Sequence, residues 1–303
     1  MDAIYFEKMQ EAAISLHSAN HMTDKFSGKK VSFGLIRMAN ITPCACLSLF
    51  LLQSACPLDC SLRIMTYHSR QTLLMRHEQE QYLDQVLNRK GTDSSTITIT
   101  EPNLRRHIDG TDAENILFIT VATPVEEIGR DHDFDWAVVE PSSYRSIIQL
   151  AGRILRHRNL SKDIAAPNLA IMQYNLKGMM KKQVSFHRPG YETVEKYPLE
   201  SHDMKVLVDE LELAEKVDAV PRIQKPEPLE PKRWLIHLEH QVLQDFKDMS
   251  AVGPEHLHGY LDEYWWMTAL PQQMNRFREG TLEERIYLCY EDGILRFCRK
   301  KKE

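Results

Sequence analysis

"ILFITVATPVEEIGRDHDFDWAVVEPSSYRSIIQLAGRILRHR", residues 116–158, passes from an apolar run through a polar loop into a second apolar run, then into a stretch with helical spacing. A strand covered on both faces reads as a nearly continuous apolar run, which is the signature of a parallel sheet. The same alternation extends outward. Strand candidates are "VSFGLIRM" (31–38), "LRIMTY" (62–67), "TITIT" (96–100), "ILFITVA" (116–122), "DWAVVE" (135–140) and "NLAIMQ" (168–173), with helical stretches at 42–54, 70–88 and 142–157. Strands alternating with helices predict an α/β fold, an open parallel sheet with right-handed crossovers.

The helical stretch 142–157 carries its arginines on one side. At about 100° per residue, Gln149, Arg153 and Arg156 fall within roughly 60° of one another. Ile147, Ile148, Leu150, Ala151, Ile154 and Leu155 cover the opposite side, and Gly152 lets another surface approach. One amide and two guanidinium groups along an exposed stripe suit a polyanion, because the arginine fork grips phosphate oxygens bidentately and stays charged.

With 303 residues, 43% of them hydrophobic, the chain can build two cores. Its net charge of −5 excludes a globally basic nucleic-acid coat, so any such site is a local patch. The pattern divides into a leading helix over 1–28, an α/β domain over 29–218, a proline-rich linker over 219–233 and an α-rich domain over 234–303. The opening "MDAIYFEKMQEAAISLH" lacks the layout of a signal peptide, and "CACLSLFLLQSAC" (44–56) is too short to span a bilayer. A cytoplasmic protein without a membrane partner is expected. Cys44, Cys46, Cys56, Cys60, Cys289 and Cys298 form no CxxC pair and read as reduced thiols.

Ligands of open α/β sheets bind at the carboxyl ends of strands. Thr123 stands where one such loop begins, and Glu127, Gly129 and Asp131 follow in it. The pairs His17/His21 and His237/His240 have helical spacing but no third ligand nearby, so packed or solvated histidines are expected rather than a metal site. "VLVDELEL" (206–213) imitates a magnesium-binding acidic box, yet Leu207, Leu211 and Ala214 repeat helically. His132-Asp133 imitates a nuclease pair without the further ligands that two metals need. Tyr264, Trp265 and Trp266 could stack on bases, with at least one of them in a core.

"ATPVEEIGRDHDFDWAVVEPSSYRSIIQLAGRILRHR" (122–158) resembles motifs V and VI of the second RecA-like lobe of superfamily 2 helicases. "KKVSFGLIRMANI" (29–41), "TYHSR" (66–70) and "YWWMTALPQQMNRFRE" (264–279) bring the resemblance closer to the CRISPR-associated helicase-nuclease of type I systems, type I-F subfamily. It covers most of residues 4–180 and returns in the carboxy-terminal helices. The resemblance implies that Arg153 and Arg156 are arginine fingers, and that Gln149, Gly129 and Asp131 line the nucleotide cleft. It also implies that His68, Ser69, Arg70 and Thr123 contact the DNA backbone.

ATP and Mg²⁺ are the implied cofactors, held mainly by a first lobe that this sequence lacks. No GxxxxGK[ST] loop is present, and "SGKK" (27–30) does not supply one. The implied partners are single-stranded DNA, the first RecA-like lobe and nuclease domain, the Cascade surveillance complex and CRISPR adaptation proteins. The resemblance implies 3′-to-5′ ATP-driven translocation that feeds DNA to the nuclease, with little turnover by this chain alone. A non-catalytic DNA- or Cascade-binding module is the alternative expectation.

Overall fold

The structure, a computed structural model, describes residues 2–57, 59–90, 96–127, 131–158, 166–254, 256–274 and 286–299. The chain opens with α1 (Asp2–Asn20) and the short β1 (Met22–Asp24). There follow β2 (Lys30–Arg37), α2 (Ile41–Gln53), β3 (Cys60–Tyr67), α3 (Leu73–Val86), β4 (Thr96–Ile97), α4 (Pro102–Asp109) and β5 (Asn115–Ala122). A 3-10 turn (Pro124–Glu126) then leads to β6 (Trp136–Val139), α5 (Tyr144–Ala151) and β7 (Leu169–Ile171).

Five strands pair in parallel in the order β3-β5-β2-β6-β7. β1 runs antiparallel to the start of β2 and carries β4 on its other side. The apolar runs read from the sequence are these strands, and in β2 every residue but Lys30 is buried. α1 and α2 cover one face, where Phe6, Met9, Leu47 and Leu51 meet Ile36, Ile119 and Val138. α3, α4 and α5 cover the other, where Leu83, Leu104, Ile108 and Leu150 meet Val31, Phe33 and Leu35. The fold is therefore a parallel sheet flanked by helices, as the alternation predicts. α3 is the least embedded of them, since Leu83 is its one buried side chain. α2 is only half covered: Cys44, Leu47 and Leu51 are buried, whereas Cys46, Leu49 and Leu52 face out.

Close packing at the centre depends on Gly34, where a Cβ would lie 2.1 Å from the ring of Trp136. The Trp136 indole donates to Ser32 Oγ at 2.9 Å, and Ser32 Oγ lies 2.7 Å from His17 Nδ1. His17 Nε2 reaches Asn115 Oδ1 at 3.2 Å, so one imidazole ties α1 to β2 and β5. Burial lowers the His17 pKa to about 4, against a weaker upward pull from Asn115. The unfolded chain thus binds a proton that the folded chain refuses. As pH drops from 6.5 to about 4 stability is lost, by about 3 kcal/mol in total. Urea unfolding at pH 7 and pH 4.5 reads this slope, which His17→Gln should flatten; equal slopes in both proteins would refute the assignment.

The chain parts into two compact units, 1–243 and 244–303. After β7 the first unit holds α6 (Leu176–Met179), α7 (Met204–Leu207), α8 (Glu210–Glu215), α9 (Val220–Ile223) and most of α10 (Leu235–Phe246). Leu235 joins Phe186, Met204 and Leu207 against Tyr144 and Ile147 of α5. The proline-rich segment is folded in part: Arg222 of α9 pairs with Glu239 of α10, whose other oxygen accepts the Tyr144 amide at 2.7 Å.

The second unit holds α11 (Leu257–Asp262), a 3-10 turn (Trp265–Met267) and α12 (Leu270–Met274). It also holds an antiparallel hairpin of β8 (Ile286–Glu291) and β9 (Ile294–Arg299), which the helical reading of this region did not include. Tyr264 takes a left-handed conformation, φ 60°, that breaks the helical run. None of the three adjacent aromatics lies in a core: Trp265 is half-buried, and Tyr264 and Trp266 are exposed.

Candidate nucleotide and nucleic-acid site

Parallel pairing sets the carboxyl ends of β3, β5, β2 and β6 side by side, with Tyr67 opposite Ala122, Ala122 opposite Arg37 and Arg37 opposite Val139. The loop after β3 carries His68, Ser69 and Arg70, and the loop after β5 begins at Thr123. The Thr123 amide donates to the Tyr67 carbonyl at 3.1 Å, which brings the two loops together. Gln71 shapes the first of them: its Oε1 accepts the His68 amide at 3.1 Å and its Nε2 donates to Thr66 O at 2.7 Å. Burial lowers the His68 pKa, which favours a neutral ring, and Nδ1 accepts the Arg70 amide at 3.3 Å. Arg70 is exposed and His68 and Ser69 are half-buried, but Thr123 is only 3% exposed.

The arginine stripe takes a different form from the one its spacing predicts. α5 ends at Ala151, so only Gln149 is helical. Beyond it the Phe134 amide donates to Arg153 O and the Leu155 amide to Phe134 O, both at 2.9 Å. This pairing with the lead-in to β6 replaces the next helical turn, and Leu155 adopts φ 51°. Arg153 is 6% exposed and turned inward, its Nη2 donating to the Glu127 carbonyl at 3.0 Å. Arg156 faces outward. Gln149 is half-buried, and its Oε1 is a buried acceptor that meets no donor among the described residues. Ser143 caps α5 by accepting the Ser146 amide at 3.1 Å. Ser143→Ala should cost about 1 kcal/mol of stability, measured by thermal unfolding.

Asp131 and Arg156 are brought together, but onto each other. Asp131 Oδ1 accepts from Arg156 Nε and lies against His157 Nε2, both at 2.8 Å, while Lys90 Nζ stands 3.3 Å from Oδ2. Desolvation alone would raise the carboxyl pKa; the bonds from Lys90, Arg156 and His157 override it and hold the pKa at about 2. Gly129 lies outside the described residues.

Behind these groups lies a buried scaffold that sequence reasoning missed. Arg37, fully buried at the end of β2, donates to Glu127 Oε1 at 2.9 and 2.7 Å, to the Glu140 carbonyl at 2.8 Å and to Ser142 Oγ at 2.6 Å. Glu140 in turn accepts the amides of Ala39 at 2.6 Å and Leu176 at 2.9 Å. The two buried acids of "RDHDFD", Asp133 and Asp135, are structural. Asp135 binds Arg89 at 3.0 Å and Arg158 at 2.6 Å, and His132 bridges Glu126 at 2.5 Å and Asp84 at 2.9 Å. The one available signal was an arginine closing an apolar strand, since such a charge is rarely buried unless paired.

Among the described residues no group of three His, Cys, Asp or Glu could hold a metal ion. No described helix is long and apolar enough to cross a membrane.

Residues 30–159 match the family described as CRISPR-associated nuclease/helicase Cas3, C-terminal. The chain is 39% identical over 282 residues to the CRISPR-associated nuclease/helicase Cas3 subtype I-F/YPEST of Pseudomonas aeruginosa, covering 91% of this chain and 25% of that protein. It is also 39% identical over 229 residues to the protein of the same description from Pectobacterium atrosepticum, covering 75% of this chain and 20% of the relative. The chain thus spans a quarter or less of the length of these relatives. A solved structure described as T. fusca Cas3-ATP aligns with a TM-score of 0.31 at 16% identity, over 46% of this chain and 14% of that one. That likeness is too distant to bear on any residue's role.

Proposed function

Proceeding from a chain that belongs, over the stretch its relatives cover, to the CRISPR-associated nuclease/helicase Cas3 family, subtype I-F/YPEST, we propose that it is the second RecA-like lobe and carboxy-terminal region of an ATP-driven DNA translocase. One observation carries this reading. The two loops assigned to the DNA backbone, 68–70 and the one opening at Thr123, are bonded side by side at the carboxyl end of the sheet, and Asp131 further along the second loop touches Arg156. A ligand on one loop therefore shares a rigid frame with a ligand on the other.

The residues fit a nucleotide in part. Arg156 offers an outward guanidinium, and the side-chain amide of Gln149 sits one helical turn before the Arg153 turn. Arg153 meets phosphate only by leaving the Glu127 carbonyl. Mg²⁺ does not fit this chain's described residues, so the metal and most of the phosphate cradle belong to a first lobe. ATP hydrolysis, 3′-to-5′ movement along single-stranded DNA, delivery to a nuclease and recruitment by Cascade are the work proposed for the assembled protein. Ser69 and Arg70 position the strand by its phosphates without reading sequence.

DNA-stimulated ATPase of this chain, alone and mixed with a polypeptide carrying a first RecA-like lobe, tests the reading. Turnover only in the mixture supports it. Single-stranded DNA bound without turnover in either sample favours a non-catalytic binding module. The absence of both DNA binding and turnover refutes it.

A further inference from the structure

Three nitrogen-bearing side chains converge on Asp131 from two parts of the chain: Lys90 beyond the end of α3, and Arg156 and His157 beyond the end of α5. Their nitrogens lie 2.8–3.3 Å from its two oxygens. The Arg156 fork is fixed from behind, because its Nη1 donates to the Gly152 carbonyl at 3.1 Å. The side chains of Lys90, Asp131 and Arg156 are 63%, 53% and 38% exposed, so the cluster is open to solvent. A carboxylate held by three converging donors has the charge and acceptor geometry of a phosphate oxyanion.

We propose that Lys90, Arg156 and His157 form one phosphate-binding site and that Asp131 is its built-in competitor, occupying the site until a phosphate displaces it. Lys90 and His157 thereby join Arg156 as ligand-binding residues. This rests on the reading of Arg156 as a phosphate contact. Displacement is cheap, because solvent-exposed ion pairs are screened and weak, so the carboxylate yields to a doubly charged anion. The occupied site also weakens adventitious anion binding, which makes Asp131 a threshold rather than a ligand.

The test is calorimetric titration of the full chain with inorganic phosphate, comparing the native protein, Asp131→Asn and Arg156→Gln. Asp131→Asn is expected to tighten phosphate about 3–10-fold. Adding Lys90→Gln and His157→Gln to it should abolish the gain. Asp112→Asn removes one exposed acid elsewhere and should change nothing; an equal gain there would reduce the effect to net charge and overturn the proposal. Phosphate weakened by Arg156→Gln but indifferent to Asp131→Asn overturns the competitor while sparing the Arg156 reading. Indifference to both overturns both. ATP and a (dT)₁₂ oligonucleotide, titrated in parallel, distinguish the source: the one whose affinity rises in Asp131→Asn supplies the phosphate.

Discussion

Arg37→Met destabilises the protein by about 3–5 kcal/mol, because it strands a buried carboxylate without its counter-charge. Arg37 is fully buried and Glu127 is 5% exposed, so water cannot replace the lost donors. The Glu140 carbonyl and Ser142 Oγ lose a donor as well. Replacing both members of a buried ion pair by apolar residues of similar size is often nearly neutral, so Arg37→Met/Glu127→Met recovers much of the loss. Urea unfolding of the two variants measures this. A single-variant cost below about 1 kcal/mol, the range of an exposed pair, would contradict the burial described. Glu127 also presents its backbone carbonyl to Arg153, so freeing it loosens the inward arginine.

On the role proposed for Arg156, an exposed arginine finger, Arg156→Ala is expected to lower ATP turnover of the assembled protein by about 10³–10⁵ while sparing DNA binding and stability. Arg153→Ala has a different signature. Its side chain is buried and bonded to the Glu127 carbonyl, so its loss lowers the melting temperature along with turnover. Turnover, single-stranded DNA affinity and thermal unfolding on both variants separate the roles. Normal turnover with lost DNA binding in Arg156→Ala would overturn the finger assignment.

The sheet was legible because burial on both faces leaves continuous apolar runs, as in "VSFGLIRM" and "ILFITVA". The early end of α5 was not. Ile154 and Leu155 continue a helical apolar spacing, yet Phe134, twenty residues upstream of Ile154, bonds the Arg153 carbonyl and the Leu155 amide on either side of it. Arg37 and Glu127 stand 90 residues apart, and no local pattern ties them. Asp131 and Arg156 were both legible as site residues, but pairing depends on loop geometry that spacing cannot supply. The hairpin of β8 and β9 escaped because its apolar and basic residues sit beside a region of strong helical rhythm.

α3 is held by buried Leu83 with Val86 packed beside it, and otherwise by polar links: Tyr67 to Glu80 at 2.8 Å, Gln79 to Thr66 O at 3.1 Å, Tyr82 to Glu101 at 3.0 Å and Asp84 to His132 at 2.9 Å. A helix anchored this way opens locally at a small fraction of the free energy that unfolds the sheet. Its amide hydrogens therefore exchange with deuterated solvent early, while those of β2 and β5 wait for global unfolding. Since α3 begins three residues after Arg70, a strand seated on His68–Arg70 as proposed is expected to register as slowed exchange along its 14 residues. The helix is a reporter of that loop's occupancy, readable without any turnover.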